Sequence, residues 1–262
     1  MSGYFEPFLL TSKANPRYKR LLADLQASGT KRGFTALLGE KLILEWMGAK
    51  PGPARERFVP VLWLCLCGHK KLPIERELPL ETWELSEHLM RGISDAASPP
   101  RLALVMRLAG EPNAPVAGRA VAPWGIQDPG NLGAMLRSAA AFGFQDALLG
   151  PGCADPFSPK ALRGSMGAAF LLSIRRLTTD HFSEGRWVAL DHASDSVPLE
   201  RVDLSGPLRL MVGNEGHGWR DADMPPNCIR AAISSVGVES LNVAVAVGVA
   251  CYEVARRQRD AR

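Results

Sequence analysis

Asn131, Gly133 and Arg137 stand in "IQDPGNLGAMLRSAAAFGF", residues 126–144, where an amide and a permanently charged guanidinium lie six positions apart among small apolar residues. A surface helix sets its charges on one face and larger apolar residues opposite, whereas this one reads Ala, Met, Leu, Ser, Ala, Ala, Ala around one arginine. Something must come close to this backbone. Two later segments also bring unusual polar residues near glycines or a helix start: "LMVGNEGHGW" (210–219) carries Glu215, and "VESLNVAVAV" (238–247) carries Ser240 and Asn242. "GNEGHG" is no dinucleotide fingerprint, because its glycines fall as G-x-x-G-x-G and "WRDADMPP" cannot open the helix such a site needs.

The chain that must position these groups has ordinary globular composition: 262 residues, 46% hydrophobic and 22% charged. That length suits two compact domains, each burying its own core. The net charge of +4 conceals an asymmetry, with 16 Lys and Arg against 11 Asp and Glu in residues 1–110 and 15 against 16 thereafter. Lys13, Arg17, Lys19, Arg20, Lys31 and Arg32 crowd the first 32 residues, which suits either a bound polyanion or a solvated helix face. The five cysteines show no C-x-x-C pair and no histidine partner at metal spacing, so neither a metal site nor a disulfide framework is expected. Cys65 and Cys67 alternate along "FVPVLWLCLC" and are expected on one strand face as core thiols of a reducing compartment. No secretory signal is evident, and the apolar run 241–251 is too short to cross a membrane, so a cytoplasmic protein is expected.

Strands and helices alternate twice. Before the linker come a helix "NPRYKRLLADLQ" capped by Asn15, then "GFTALLGEKLILEWM" as strand, glycine turn and helix. "FVPVLWLCLC" reads as a strand, "ETWELSEHLMRG" as a helix and "RLALVMRL" as a strand. "AGEPNAPVAG" is the best linker in the chain. Beyond it, "RAVAPWGI" is a strand, 131–142 a helix with Asn131 as its N-cap and Gly143 as its stop, "DALLG" a strand and "SPKALRGSMGAAF" a helix. "WVALDH", "LRLMVG" and "IRAAI" are further strands before a last helix from about Ser240, capped by Ser240 and apolar on every side over 241–251. Such a helix must be covered all round. The pattern predicts an open, mostly parallel α/β sheet with helices on both faces and ligands beyond the carboxyl ends of its strands.

"DPGNLGAMLRSA" (128–139), "LMVGNEGHGW" and "VESLNVAVAV", in this order and spacing, resemble the three signature motifs of the SpoU/TrmH class of SPOUT methyltransferases. "PFSPKALRGSMGAAF", with Arg163, Ser165 and Gly167, is similar to the family's segment between motifs one and two, and "NPRYKRLL" and "FTALLGEKLILE" resemble its L30e-like RNA-binding domain. The resemblance implies an L30e-like α/β domain over 1–110, a linker over 111–118 and a SPOUT domain over 119–262 whose C-terminal segment forms a deep trefoil knot. It also implies transfer of a methyl group from S-adenosylmethionine to a ribose 2′-hydroxyl of RNA, without a metal, by a homodimer in which motif one lies at the subunit interface.

The resemblance assigns Arg137, Asn131, Glu215, Ser240 and Asn242 to catalysis, and the backbone at Gly213, Ile233 and Leu241 to the adenosine moiety. The family's usual proposal makes the arginine a base, yet a guanidinium stays protonated, so stabilising the developing alkoxide and gripping the adjacent phosphate suits Arg137 better. "ISSVGVES" departs from motif three: Ser234 and Ser235 replace Pro and Met, and the segment is one residue shorter. Ribosomal RNA is the favoured substrate, by analogy with members that carry the N-terminal module; transfer RNA and a catalytically silent RNA-binding relative are the alternatives.

Overall fold

Asn15 accepts a hydrogen bond from the Arg17 N–H at 2.9 Å and Pro16 fills the first helical position, so the chain turns into a helix where the sequence predicts one. The computed structural model describes residues 7–27, 33–70, 72–94, 98–112, 115–214, 224–237 and 240–260. β1 (Phe8–Leu10) precedes that helix, α1 (Pro16–Gln26), which turns Tyr18, Leu21 and Leu25 inward. β2 (Phe34–Leu38) runs through Gly39, at φ +87°, directly into α2 (Glu40–Gly48). α3 (Pro53–Glu56), β3 (Phe58–Leu66), α4 (Pro73–Glu77), β4 (Thr82–Leu85), α5 (Glu87–Gly92) and β5 (Leu102–Leu108) follow. The five strands form one sheet, ordered β1-β4-β3-β5-β2, in which β5 runs antiparallel to both neighbours.

Two expectations change here. "ETWELSEHLMRG" is half strand and half helix, because Thr82–Leu85 pairs with β3 on one side and β1 on the other before Ser86 opens α5. Cys65 is buried but Cys67 is exposed, since β3 stops at Leu66 and the chain turns at Gly68, φ +77°.

The second half consists of β6 (Ala120–Pro123), α6 (Pro129–Ala141), β7 (Asp146–Leu149), α7 (Pro159–Ser165), β8 (Ser173–Arg176), β9 (Arg186–Leu190), β10 (Val197–Pro198), β11 (Leu208–Val212), β12 (Ile229–Ala232) and α8 (Val243–Asp260). Its seven strands are all parallel, ordered β10-β12-β9-β11-β6-β7-β8. The chain leaves β6 towards β7 and β8 and then crosses to the other side, so the order reverses between β6 and β11. Ligands bind in such sheets beyond the strand ends at that reversal. The helix expected over "SPKALRGSMGAAF" breaks at Met166 (φ 48°) and Gly167 (φ +87°), and a short 3₁₀ turn, Ala168–Phe170, completes it.

The halves do not bury separate cores. One face of the first sheet has its own cluster around Tyr18, Leu64 and Leu89, but Leu37, Ile43, Phe58 and Met106 join a core that continues through Leu136, Phe157, Phe170 and Leu210. Phe58 meets Phe157 and Phe170 edge-on, with ring centroids 5.5 and 4.9 Å apart. Thr35 Oγ1 donates to the Phe157 carbonyl at 2.6 Å, and Arg57 Nη1 to the Ile174 carbonyl at 2.7 Å. Part of the linker is also tied down: buried Arg209 donates to the carbonyls of Gly118 at 2.6 Å and Val116 at 2.5 Å.

α8 is covered on one side only. Val243, Val247, Ala250, Cys251 and Val254 are buried, whereas Val245, Val249 and Tyr252, spaced i, i+4, i+7, are exposed. Glu253 accepts from Arg257, which donates on to the carbonyls of Val202 at 2.7 Å and Leu199 at 3.1 Å, fixing the helix to the turn beyond β10. Hydrogen bonds from Arg256 and Arg257 hold the Glu253 carboxyl down at about 2.

Phe58→Ala should cost about 3–5 kcal/mol, and urea unfolding followed by fluorescence and by circular dichroism should show one transition for both halves rather than two. Because the Glu253 pKa is depressed in the folded chain, its contribution is complete above about 4.5, the ordinary carboxylate value, and is lost as pH falls towards 2. The urea midpoint should therefore drop more steeply across that window in the parent chain than in Glu253→Gln.

Candidate active site

Two helix starts meet at the reversal of strand order. The loop after β6 turns at Gly125 (φ +67°) and ends at Asp128, whose carboxylate accepts the Asn131 N–H at 2.8 Å. Asp128 is therefore the N-cap of α6, with Pro129 at the first helical position, and Asn131 sits in the first turn instead of capping it. Lys160, from α7, donates to the other oxygen of Asp128 at 2.6 Å, and this hydrogen bond, with that from Asn131, holds the carboxyl below its ordinary range. The Asn131 side chain is thereby left to point elsewhere. Its Oδ1 lies 3.5 Å from Asn242 Nδ2.

Asn242 caps α8, its Oδ1 accepting from Ala244 N at 2.9 Å and Val245 N at 3.3 Å. That is the place expected for Ser240, which is exposed and outside the helix, as is half-buried Leu241. An Asn at the cap uses its oxygen on the helix and keeps its NH₂ for a second partner, which a serine hydroxyl does less readily. Gly213 follows β11, and Asn214 Nδ2 donates to the Gly125 carbonyl at 3.1 Å, tying that loop to the one after β6. Ile233 follows β12, two strand spacings or about 10 Å from Gly213 across β9. Glu215 lies outside the described residues.

Arg137 does not join this group within one chain. It is six residues beyond Asn131, about 120° round α6 and about 9 Å along it. The side chain is exposed and makes no hydrogen bond or ion pair with a described residue. Gly133, which seemed to await an incoming partner, is occupied from within. A Cβ there would lie 2.5 Å from the Ala161 carbonyl oxygen and 2.8 Å from Ser165 N, so it is α7 that approaches. Ser165 is buried and donates to the Leu162 carbonyl at 2.9 Å; Gly167 abuts the Glu45 side chain of α2. Sequence reasoning missed Asp128 and Lys160, although "DPGN" contained the signal: proline favours the first helical position, which makes the preceding residue the cap.

The sequence model of the SpoU rRNA Methylase family matches residues 119–252. The chain belongs to that family. Its methylases use S-adenosylmethionine. Along its length the chain is similar to the 23S rRNA (guanosine(2553)-2′-O)-methyltransferase RlmP of Bacillus subtilis, 29% identical over 231 residues that span 86% of this chain and 90% of that protein. A crystal structure of an RNA 2′-O ribose methyltransferase superposes with a TM-score of 0.75 at 26% identity, covering 96% of this chain and 99% of the other. The AdoMet-bound rRNA methyltransferase of Sinorhizobium meliloti shares the fold, with a TM-score of 0.76 at 24% identity, covering 95% and 97%. No described helix is long and apolar enough to cross a membrane.

Gly133→Ala forces its methyl into the α7 backbone, which cannot give as a flexible side chain would. The expected cost is about 1–3 kcal/mol, read as a lower urea midpoint. A smaller loss of stability is expected from Ser138→Ala on the same helix.

Proposed function

We propose that this methylase transfers a methyl group from S-adenosylmethionine to a ribose 2′-hydroxyl of ribosomal RNA. The observation that carries the reading is the meeting of Asn131 and Asn242 beyond the strand ends where the order reverses. The cofactor's adenosine is held by the backbone at Gly213, Ile233 and Leu241, where changed side chains are tolerated, including the serines that follow Ile233. Ser240 and Asn242 serve the cofactor's methionine end and the reacting ribose, Asn131 orients that ribose or Arg137, and the family motif gives Glu215 a hydrogen-bonding role towards the substrate or Arg137. Similarity to RlmP over nearly the whole chain supports a ribosomal substrate, and such a substrate implies the cytoplasm. The basic N-terminal half, read as L30e-like, engages the RNA backbone.

Arg137 acts on the site of a second subunit. Its distance from Asn131 in its own chain and its exposure support this, as does the apolar stripe of Val245, Val249 and Tyr252 on the helix packed beside α6. In the homodimer that buries this stripe, each Arg137 stabilises the alkoxide forming at the partner's site and grips the adjacent phosphate. The trefoil knot belongs to the same reading, for β11 enters between strands laid down earlier before the chain returns to α6.

Arg137→Ala should leave S-adenosylmethionine affinity within a few fold while lowering methyl transfer by at least about 10²-fold. Asn242→Ser, which keeps a capping oxygen but loses the amide, should also be inactive. Mixing the two after verified subunit exchange should restore transfer from the dimers that contain one intact site. Normal turnover by Arg137→Ala would sink its catalytic assignment, and failure to complement would refute the shared site.

A further inference from the structure

Far from that site, the end of β3 and the start of α4 bring together three side chains that the proposed reaction does not use. Cys65 Sγ lies 3.4 Å from Glu75 Oε1, and His69 Nε2 lies 2.9 Å from Glu75 Oε2. No two of the three ligand atoms are more than 4.8 Å apart. All three side chains are shielded: His69 is 8% exposed, Glu75 3%, and Cys65 is buried. The carboxylate is already aimed, since Glu75 Oε2 also accepts the Leu72 N–H at 2.7 Å.

We propose that Cys65, His69 and Glu75 form a zinc site, with solvent in the fourth position. The donor set of thiolate, imidazole and carboxylate suits zinc rather than magnesium or calcium, which take oxygen ligands almost throughout. Zinc bonds of about 2.0–2.3 Å in a tetrahedron separate their ligand atoms by about 3.3–3.6 Å, so an adjustment of little more than about an ångström at most in each pair satisfies the ion. The Leu72 N–H bond supplies the outer-shell contact that orients a metal-binding carboxylate. Access comes through a cavity of about 690 Å³ that His69 lines together with Gly39, Gly68 and Leu102. On binding, the Cys65 thiol loses its proton to solvent, the sulfur–zinc bond replaces the thiol–carboxylate hydrogen bond, and the loop after β3 is tied to α4. Cys-x₃-His-x₅-Glu matches no standard zinc spacing, so the sequence concealed it.

The rival is a metal-free imidazole–carboxylate pair with a thiol hydrogen-bonded to it. Untagged full-length protein, stripped by a chelator, should bind one equivalent of Co²⁺ with a near-ultraviolet thiolate-to-cobalt band, and Zn²⁺ should displace it. The band should vanish in Cys65→Ser and persist in Cys67→Ser. Zinc should raise the thermal midpoint of the parent chain but not of His69→Gln, whose side chain borders the cavity and whose loss spares the fold if Cys65→Ser does not. No band at one equivalent, a band that survives Cys65→Ser, or an equal zinc shift in His69→Gln would each overturn the site.

Discussion

The missing side chain of Gly133 is the constraint on which the site rests. Because nothing larger than hydrogen fits between α6 and the backbone of Ala161 to Ser165, α6 lies against α7 at backbone contact. Gly164 answers from the other side, where a Cβ would sit 3.2 Å from the Gly130 carbonyl oxygen. This brings Lys160 within reach of Asp128 and so fixes the first turn of α6 at the end of β6. α8 then packs on the same helix, with Gly248 close to the Ser138 side chain. Only when both helices are seated do Asn131 and Asn242 meet.

Most of this order was legible wherever one residue type has one physical use. Gly39 and Gly143 turn the chain at positive φ as read, and "LRLMVG" and "IRAAI" are the strands they looked like. What the sequence hid was choice between neighbours. Asp128 and Asn131 are both good caps three residues apart, as are Ser240 and Asn242 two apart, and hydrogen-bond geometry decides between them. β4 was hidden because a short strand between two partners needs little period of its own, and β8 because "SIRR" carries arginines whose charge is met elsewhere, Arg175 donating to buried Asp146 at 2.7 Å. The site motifs were plain in type but not in distance, since helical spacing alone does not say which face of α6 meets α8.

The shared core was least visible of all. Periodicity reports which face of an element is apolar, not what covers it, so Phe58 and Phe157 read as members of separate domains. Their contact and the Thr35 and Arg57 hydrogen bonds join the halves across one core. On the proposed reading, in which the first half engages the RNA, that shared core would present the RNA to the second half in a fixed direction. Gly167 is one point of that coupling, needing positive φ to turn α7 into its 3₁₀ continuation and having no space for a side chain against Glu45.

A rigid scaffold also bears on what Arg137 can do. A guanidinium does not give up its proton in ordinary protein surroundings, so the reading that fits its chemistry is a fixed positive charge waiting where an alkoxide forms. Such a charge is most effective when it costs nothing to arrange during the reaction, which calls for a stiff helix beneath it. α6 is stiff for the reason already given: backbone contact with α7 on one side, α8 on the other, and a doubly bonded cap at its start. Arg137 is exposed on the face those contacts leave open. The same close packing that assembles the two asparagines in one chain therefore turns the arginine outward, which is why the proposed site, requiring all three groups, calls for a second copy.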